Sequence, residues 1–133
     1  MRPSISRRVL ALTLLSIAAG ACSSSSEPLT LKAIDLGSAV GEDTRVTAPT
    51  RIFAPESAVY ASIATAGSGR GTLTVQWFAN TEVVATQTQT IDPTAPAHFA
   101  FHFVPPGGWP QGKSRIRFSL DDGPKHTAEF EIR

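Results

Sequence analysis

Cys22 is the only thiol in the chain, so no disulfide can close within it and its sulfur is left for other chemistry. A lone cysteine of this kind is a reactive thiol, one half of an intermolecular bridge, or a group consumed by modification. Its position favours the third reading. Small residues (Ala19-Gly20-Ala21) stand directly before it, and an apolar run stands before them.

The remaining chemistry-bearing residues do not converge. His98 and His102 lie four apart in a stretch that reads as a strand. They therefore share a face but stand about 13 Å apart, too far for one metal ion with bonds near 2 Å. With His126 they read as polar residues of an exposed surface. The run Gly67-Ser68-Gly69-Arg70-Gly71 has the composition of a phosphate loop, but such a loop needs a following helix whose amides point at the anion. A strand pattern follows instead, which makes this a strand-to-strand turn and denies Ser68 the setting of a nucleophile elbow. Asp121 and Asp122 are adjacent and so diverge on a turn. A weak calcium site shared with Glu129 and Glu131 is the lesser reading. No catalytic residue, cofactor or metal ligand is predicted, and the chain is not expected to be an enzyme. Two tryptophans remain. Trp77 is expected in the core. Trp109, in a loop rich in proline and glycine, either caps the end of the fold or is an exposed anchor. It is the candidate contact for a protein or polysaccharide partner.

The elements that would position these residues begin with an export segment. Residues 1–8 are basic, 9–19 are almost wholly apolar, and small residues follow, the three-part layout of a secretory signal peptide. The apolar run is too short for about 30 Å of hydrocarbon. Ala19-Gly20-Ala21-Cys22 resembles the lipobox of bacterial lipoproteins, with Ala19 where leucine is usual. That resemblance implies cleavage after Ala21, lipid on Cys22 and attachment to a membrane through that lipid. Ser23 after the cysteine implies by the same resemblance the outer membrane of the cell envelope. Ser6-Arg7-Arg8-Val9-Leu10 also looks like a twin-arginine export signal, so two export routes stay open. The organisation is then 1–21 signal peptide, 22–28 lipidated cysteine with a serine-rich linker, and 29–133 a single domain.

In that domain no long stretch shows apolar residues at helical spacing. Runs of four to ten residues rich in Val, Ile, Thr and Phe alternate with clusters of Gly, Pro, Asn and Asp, the signature of an all-β sandwich or barrel. Ile116, Phe118 and Leu120 alternate with Arg115, Arg117 and Ser119. Ala128, Phe130 and Ile132 alternate with Glu129 and Glu131. A period of two sends one set inward and the other to water, so the two runs read as a hairpin with Arg115 and Arg117 facing the two glutamates. Further strands are read at 29–36, 51–53, 59–64, 73–77, 83–91 and 99–103. The threonine-rich run 83–91 is expected at a sheet edge. Seven or eight strands in about 105 residues, Trp77 on the third long strand, and the stretch 105–112 leading into an alternating strand are similar to immunoglobulin-like modules of bacterial surface lipoproteins. That resemblance implies an immunoglobulin-like β-sandwich of antiparallel strands. The chain departs from it in having no inter-sheet cysteine pair and in placing Ser114 where a corner tyrosine is common.

Charge narrows the partners. Arg2, Arg7 and Arg8 belong to the export segment, which leaves nine basic against eleven acidic side chains in the rest. A surface near −2 would not neutralise a row of phosphates, so nucleic acid is not an expected partner. A non-catalytic envelope module that contacts a protein or polymer fits best. A small carbohydrate-binding module, using Trp109 with Tyr60 or Phe78, is the alternative, and a hydrolase the remote one.

Overall fold

Alternation in the sequence becomes two stacked sheets. The computed structural model describes residues 27–133; Cys22 and the expected export segment, 1–21, lie outside the described residues. Eight strands follow in order: β1 (Thr30–Gly37), β2 (Ile52–Phe53), β3 (Val59–Ala66), β4 (Gly71–Ala79), β5 (Glu82–Ile91), β6 (Ala97–Phe103), β7 (Gly112–Leu120) and β8 (His126–Ile132). One sheet has the order β1-β3-β6 and the other β2-β8-β7-β4-β5. All pairings are antiparallel except β2, which runs parallel to β8 for two residues. The chain thus crosses from the small sheet to the large one between β1 and β2.

The inward set is the apolar one. Val59, Ala61 and Ile63 of β3 and Phe101 of β6 face Leu73, Val75 and Trp77 of β4, Ile116 and Phe118 of β7, and Phe130 and Ile132 of β8. Trp77 is fully buried, and its indole N–H donates to the Gln87 side-chain oxygen at 3.0 Å. A buried indole needs such a partner, because an unpaired N–H would cost about 1–3 kcal/mol.

Turn chemistry matches turn geometry. Asn80 joins β4 to β5 at φ 54°, and Asp121 and Asp122 follow β7 at φ 49° and 56°. Asn and Asp tolerate this left-handed region better than other side chains do. Asp121 also ties its turn down, since its carboxylate accepts from the Thr72 amide at 2.8 Å.

The segment between β1 and β2 forms a small hairpin. Val40 bridges Val46, and the Gly41 amide donates to the Arg45 carbonyl at 2.9 Å. Its tip lies on the outer face of the three-stranded sheet. There the Ser62 hydroxyl donates to the Thr44 carbonyl and the Thr44 hydroxyl to the His98 carbonyl, both at 2.6 Å. Ser62 belongs to the outward set of β3 yet is buried, because this hairpin covers it.

The chain enters the domain against the β3–β4 turn. Pro28 bridges Ser68, and the Ser68 amide donates to the Glu27 carbonyl at 2.9 Å. Gly67 stands beside it at φ +75°, and a Cβ there would collide with the carbonyl oxygens of Pro28 and Glu27. Gly67→Ala is therefore expected to destabilise the domain by about 1–3 kcal/mol through backbone strain. Thermal unfolding should report this as a fall in Tm of several degrees; an unchanged Tm would mean that the entering chain does not pack there.

Candidate interaction surface

Strand β5 is rich in β-branched residues (Glu-Val-Val-Ala-Thr-Gln-Thr-Gln-Thr-Ile), which suits extended backbone. It pairs with β4 alone and so forms one edge of the large sheet, as its composition leads one to expect. The register shifts where Phe78 opposes Val83 and Trp77 opposes Ala85, which leaves Val84 as a bulge. Beyond it, residues 85–91 run regularly and carry neither charge nor proline.

That stretch differs from the other edges. Folded proteins blunt a free edge with charge, proline, bulges, shortness or a covering segment. Strand β1 carries Lys32, Asp35 and a register shift, and β2 is two residues long. At β6 the His98 carbonyl accepts from Thr44 and the His102 carbonyl from the Gln87 amide at 3.1 Å. Residues 85–91 have none of these devices. Gln87 links Trp77 in the core to the β6 backbone, so it closes the gap between the two sheets on the same side as the open edge. Beside it a groove of about 360 Å³ runs between Gln87, Thr88 and Gln89 of β5 and Ala100, Phe101 and His102 of β6.

The bulged end of β5 joins an unusual patch on the outer face of the large sheet. Val83 and Val84 are 49% and 37% exposed. Next to Val83, Phe78 is only 4% exposed, although its side chain is outside the main core. It is covered by arginine. The guanidinium carbons of Arg115 and Arg117 lie 4.3 and 4.8 Å from its ring centroid, within cation–π range.

This arrangement replaces the ion pairs expected across the β7–β8 hairpin. Arg115 lies opposite Glu129, but Arg117 lies opposite Thr127, and Glu131 lies opposite Lys113. Among the described residues the ion pairs within 4 Å are Arg45–Asp43 and Arg133–Glu131, both exposed. The arginines lean toward β4 instead, where Phe78 stands directly opposite Arg115.

Trp109 is not an exposed anchor. It is 3% exposed, and its ring centroid lies 5.2 Å from Phe130, 5.8 Å from Phe103 and 6.2 Å from Trp77. Its indole N–H donates to the Ser57 carbonyl at 3.0 Å, and its amide to the Pro55 carbonyl at 2.6 Å. The loop at 105–112 folds inward because the aromatic cluster offers more buried area than solvent could. Of the two roles expected for Trp109, it therefore has the first, capping the end of the sandwich, and it offers no exposed contact to a partner.

The other residues of chemical interest stay apart. His98 and His102 do share a face of β6, the latter stacked on Tyr60 at 5.2 Å, and His126 stacks on Phe118 at 5.3 Å. Among the described residues no three His, Cys, Asp or Glu side chains converge on a point that a metal ion could occupy.

No family model matches the chain, and no curated protein does. Solved structures do share its architecture. The CARDB domain of a Pyrococcus furiosus protein, solved in complex with di-metal ions, aligns over 80% of this chain and 88% of that one, with 12% identity and a TM-score of 0.51. The domain is an immunoglobulin-like β-sandwich. Parts of two much longer proteins also align with this sandwich. A β-glucosidase from Listeria innocua in complex with gluconolactone matches with 9% identity and a TM-score of 0.49 over 79% of this chain and 16% of that one. A β-glucosidase involved in saponin metabolism from intestinal bacteria matches with 15% identity and a TM-score of 0.46 over 81% and 17%.

Proposed function

We propose that the chain is an envelope lipoprotein, held by lipid on Cys22, whose immunoglobulin-like sandwich is a non-catalytic module that binds an extended polypeptide along β5. The observation that carries this reading is the uncharged, unpaired edge at residues 85–91, beside exposed Val83 and Val84. Addition of a strand there would give the free amides and carbonyls of β5 partners, with side-chain pockets supplying selectivity. The tether supports the same reading. Glu27 and Pro28 are docked on the β3–β4 turn. Residues 22–26 before them would reach about 17 Å if extended, so the sandwich would work close to the bilayer, and Ser23 favours the outer membrane.

A carbohydrate platform has less support, because the aromatics it would use are not aligned at the surface. Trp109 is in the core and Phe78 lies under two arginines.

The test is site-directed photo-crosslinking in native envelopes. A crosslinking residue at Thr88 is expected to give a discrete polypeptide adduct, and one at exposed Lys32, on β1 of the other sheet, none. Thr88→Lys in the same edge is expected to lower complex yield at least fivefold by placing an unpaired charge in the new ladder. Equal adducts at both positions, or none at Thr88, would overturn the reading.

A further inference from the structure

We infer that Arg115 and Arg117, held over Phe78, form a carboxylate-binding site for an acidic stretch of polypeptide. Three observations meet at this place. Two guanidinium groups share one aromatic ring, so their separation cannot exceed the sum of 4.3 and 4.8 Å. Like charges held so near repel, and neither has a carboxylate within 4 Å among the described residues. Arg115 also carries a buried Nε–H with no acceptor, and buried donors of this kind are normally satisfied.

One oxyanion held by both groups answers the first deficit, and it answers the second once the Arg115 side chain shifts enough to bring its buried Nε–H to the surface. It offsets their repulsion, and it accepts the forked N–H pairs that guanidinium presents and that carboxylate geometry matches. Phe78 holds both guanidinium groups over one ring, so less side-chain freedom remains to be lost on binding. Glu129 lies opposite Arg115 in register, but its backbone carbonyl is engaged by Arg51 at 3.0 Å and its carboxylate forms no ion pair with Arg115.

The position of the site selects a polypeptide. Val83, Phe78, Arg115 and Glu129 form one row across the sheet. Two strand spacings, about 10 Å, separate β5 from β7, so a chain leaving the β5 edge at Val83 reaches the arginines within a few residues. Bilayer headgroups are less well placed. Strand β7 runs from Arg115 toward Leu120, and Leu120 lies beside Leu29 at the end where the chain enters. This choice of ligand rests on the strand-addition reading above, whereas the paired arginines do not.

The site can be tested on the full processed protein held in phosphatidylcholine nanodiscs, following the arginine Nε–Hε resonances by NMR. The probes are a terminally blocked tetraglutamate, the matching tetraglutamine, inorganic phosphate and phosphatidylglycerol vesicles. Tetraglutamate is expected to shift the Arg115 and Arg117 signals saturably and to bind at least tenfold more tightly than tetraglutamine or phosphate, weakening as salt rises. Arg117→Gln should lower that affinity about tenfold, and Arg117→Lys, which keeps the charge but loses the fork, by an intermediate factor. Backbone resonances would verify that each variant is folded. Equal binding of tetraglutamine, binding of phosphate or vesicles as tight as tetraglutamate, or unchanged affinity in Arg117→Gln would overturn the site. If Arg117→Gln instead left the Thr88 adduct intact after abolishing tetraglutamate binding, the partner would use the edge without these arginines and the proposal would fall alone. Loss of the Thr88 adduct from the parent protein, with tetraglutamate binding retained, would sink strand addition only.

Discussion

Trp109→Ala is expected to destabilise the domain by about 3–5 kcal/mol, the range for removal of a large buried aromatic. Native domains are stable by only about 5–15 kcal/mol, so much of the protein would be unfolded under mild conditions. The indole fills the end of the sandwich between Phe103 and Phe130, and its N–H satisfies the Ser57 carbonyl. Alanine would leave a cavity there and also an unpaired acceptor in the β2–β3 loop. Trp109→Phe separates these contributions, because it retains most of the ring volume and loses the hydrogen bond. Its expected cost is about 1–2 kcal/mol. Urea unfolding followed by circular dichroism would measure both. A variant as stable as the parent would mean that the loop at 105–112 does not pack its tryptophan inward.

The second large effect concerns the proposed anchor. Cys22→Ser is expected to move the protein from the membrane fraction to the soluble fraction and to remove the acyl mass from its mature N-terminus. Each buried methylene contributes about 0.8 kcal/mol, and two or more acyl chains give stable attachment where one is marginal. Serine offers no thiol to acylate, so the whole of that contribution disappears. The change should therefore be close to all-or-none. Membrane association that survived the substitution, with processing unaltered, would rule out lipid on Cys22 as the anchor.

Strand content was legible because burial on one face imposes a period of two on the residues. Ile116 and Phe118, or Phe130 and Ile132, announce their strands whatever the partner strand is. The placement of β5 at an edge was legible from its threonines and glutamines for the same reason. Relations between strands were harder to read. Spacings of two at 115 and 117 and at 129 and 131 fit two alignments that differ by one two-residue step, and the β7–β8 turn decides between them. Arg117 consequently met Thr127 instead of a glutamate. The parallel pairing of β2 rests on two residues, too few to carry a pattern. The hairpin between β1 and β2 has no apolar periodicity either, and the burial of Ser62 follows from that hairpin alone. For Trp109, sequence offered two roles because a loop residue has no face assigned by its neighbours. Only the tertiary contacts chose between them. The Phe78 patch is not legible in the sequence, because an arginine pair and an aromatic on different strands have no shared signal there.

The path of the chain through the sandwich has a mechanical consequence. Residue 28 sits at the end of the β3–β4 turn, whereas Arg133 sits at the opposite end, where its amide is bonded to Phe53. Tension applied between those two points runs along the strands. The ladders of β1 with β3 and of β2 with β8 are then sheared, so their bonds must break together and are not unzipped one at a time. Such a domain would resist being pulled apart between those two points more stubbornly than its modest size suggests.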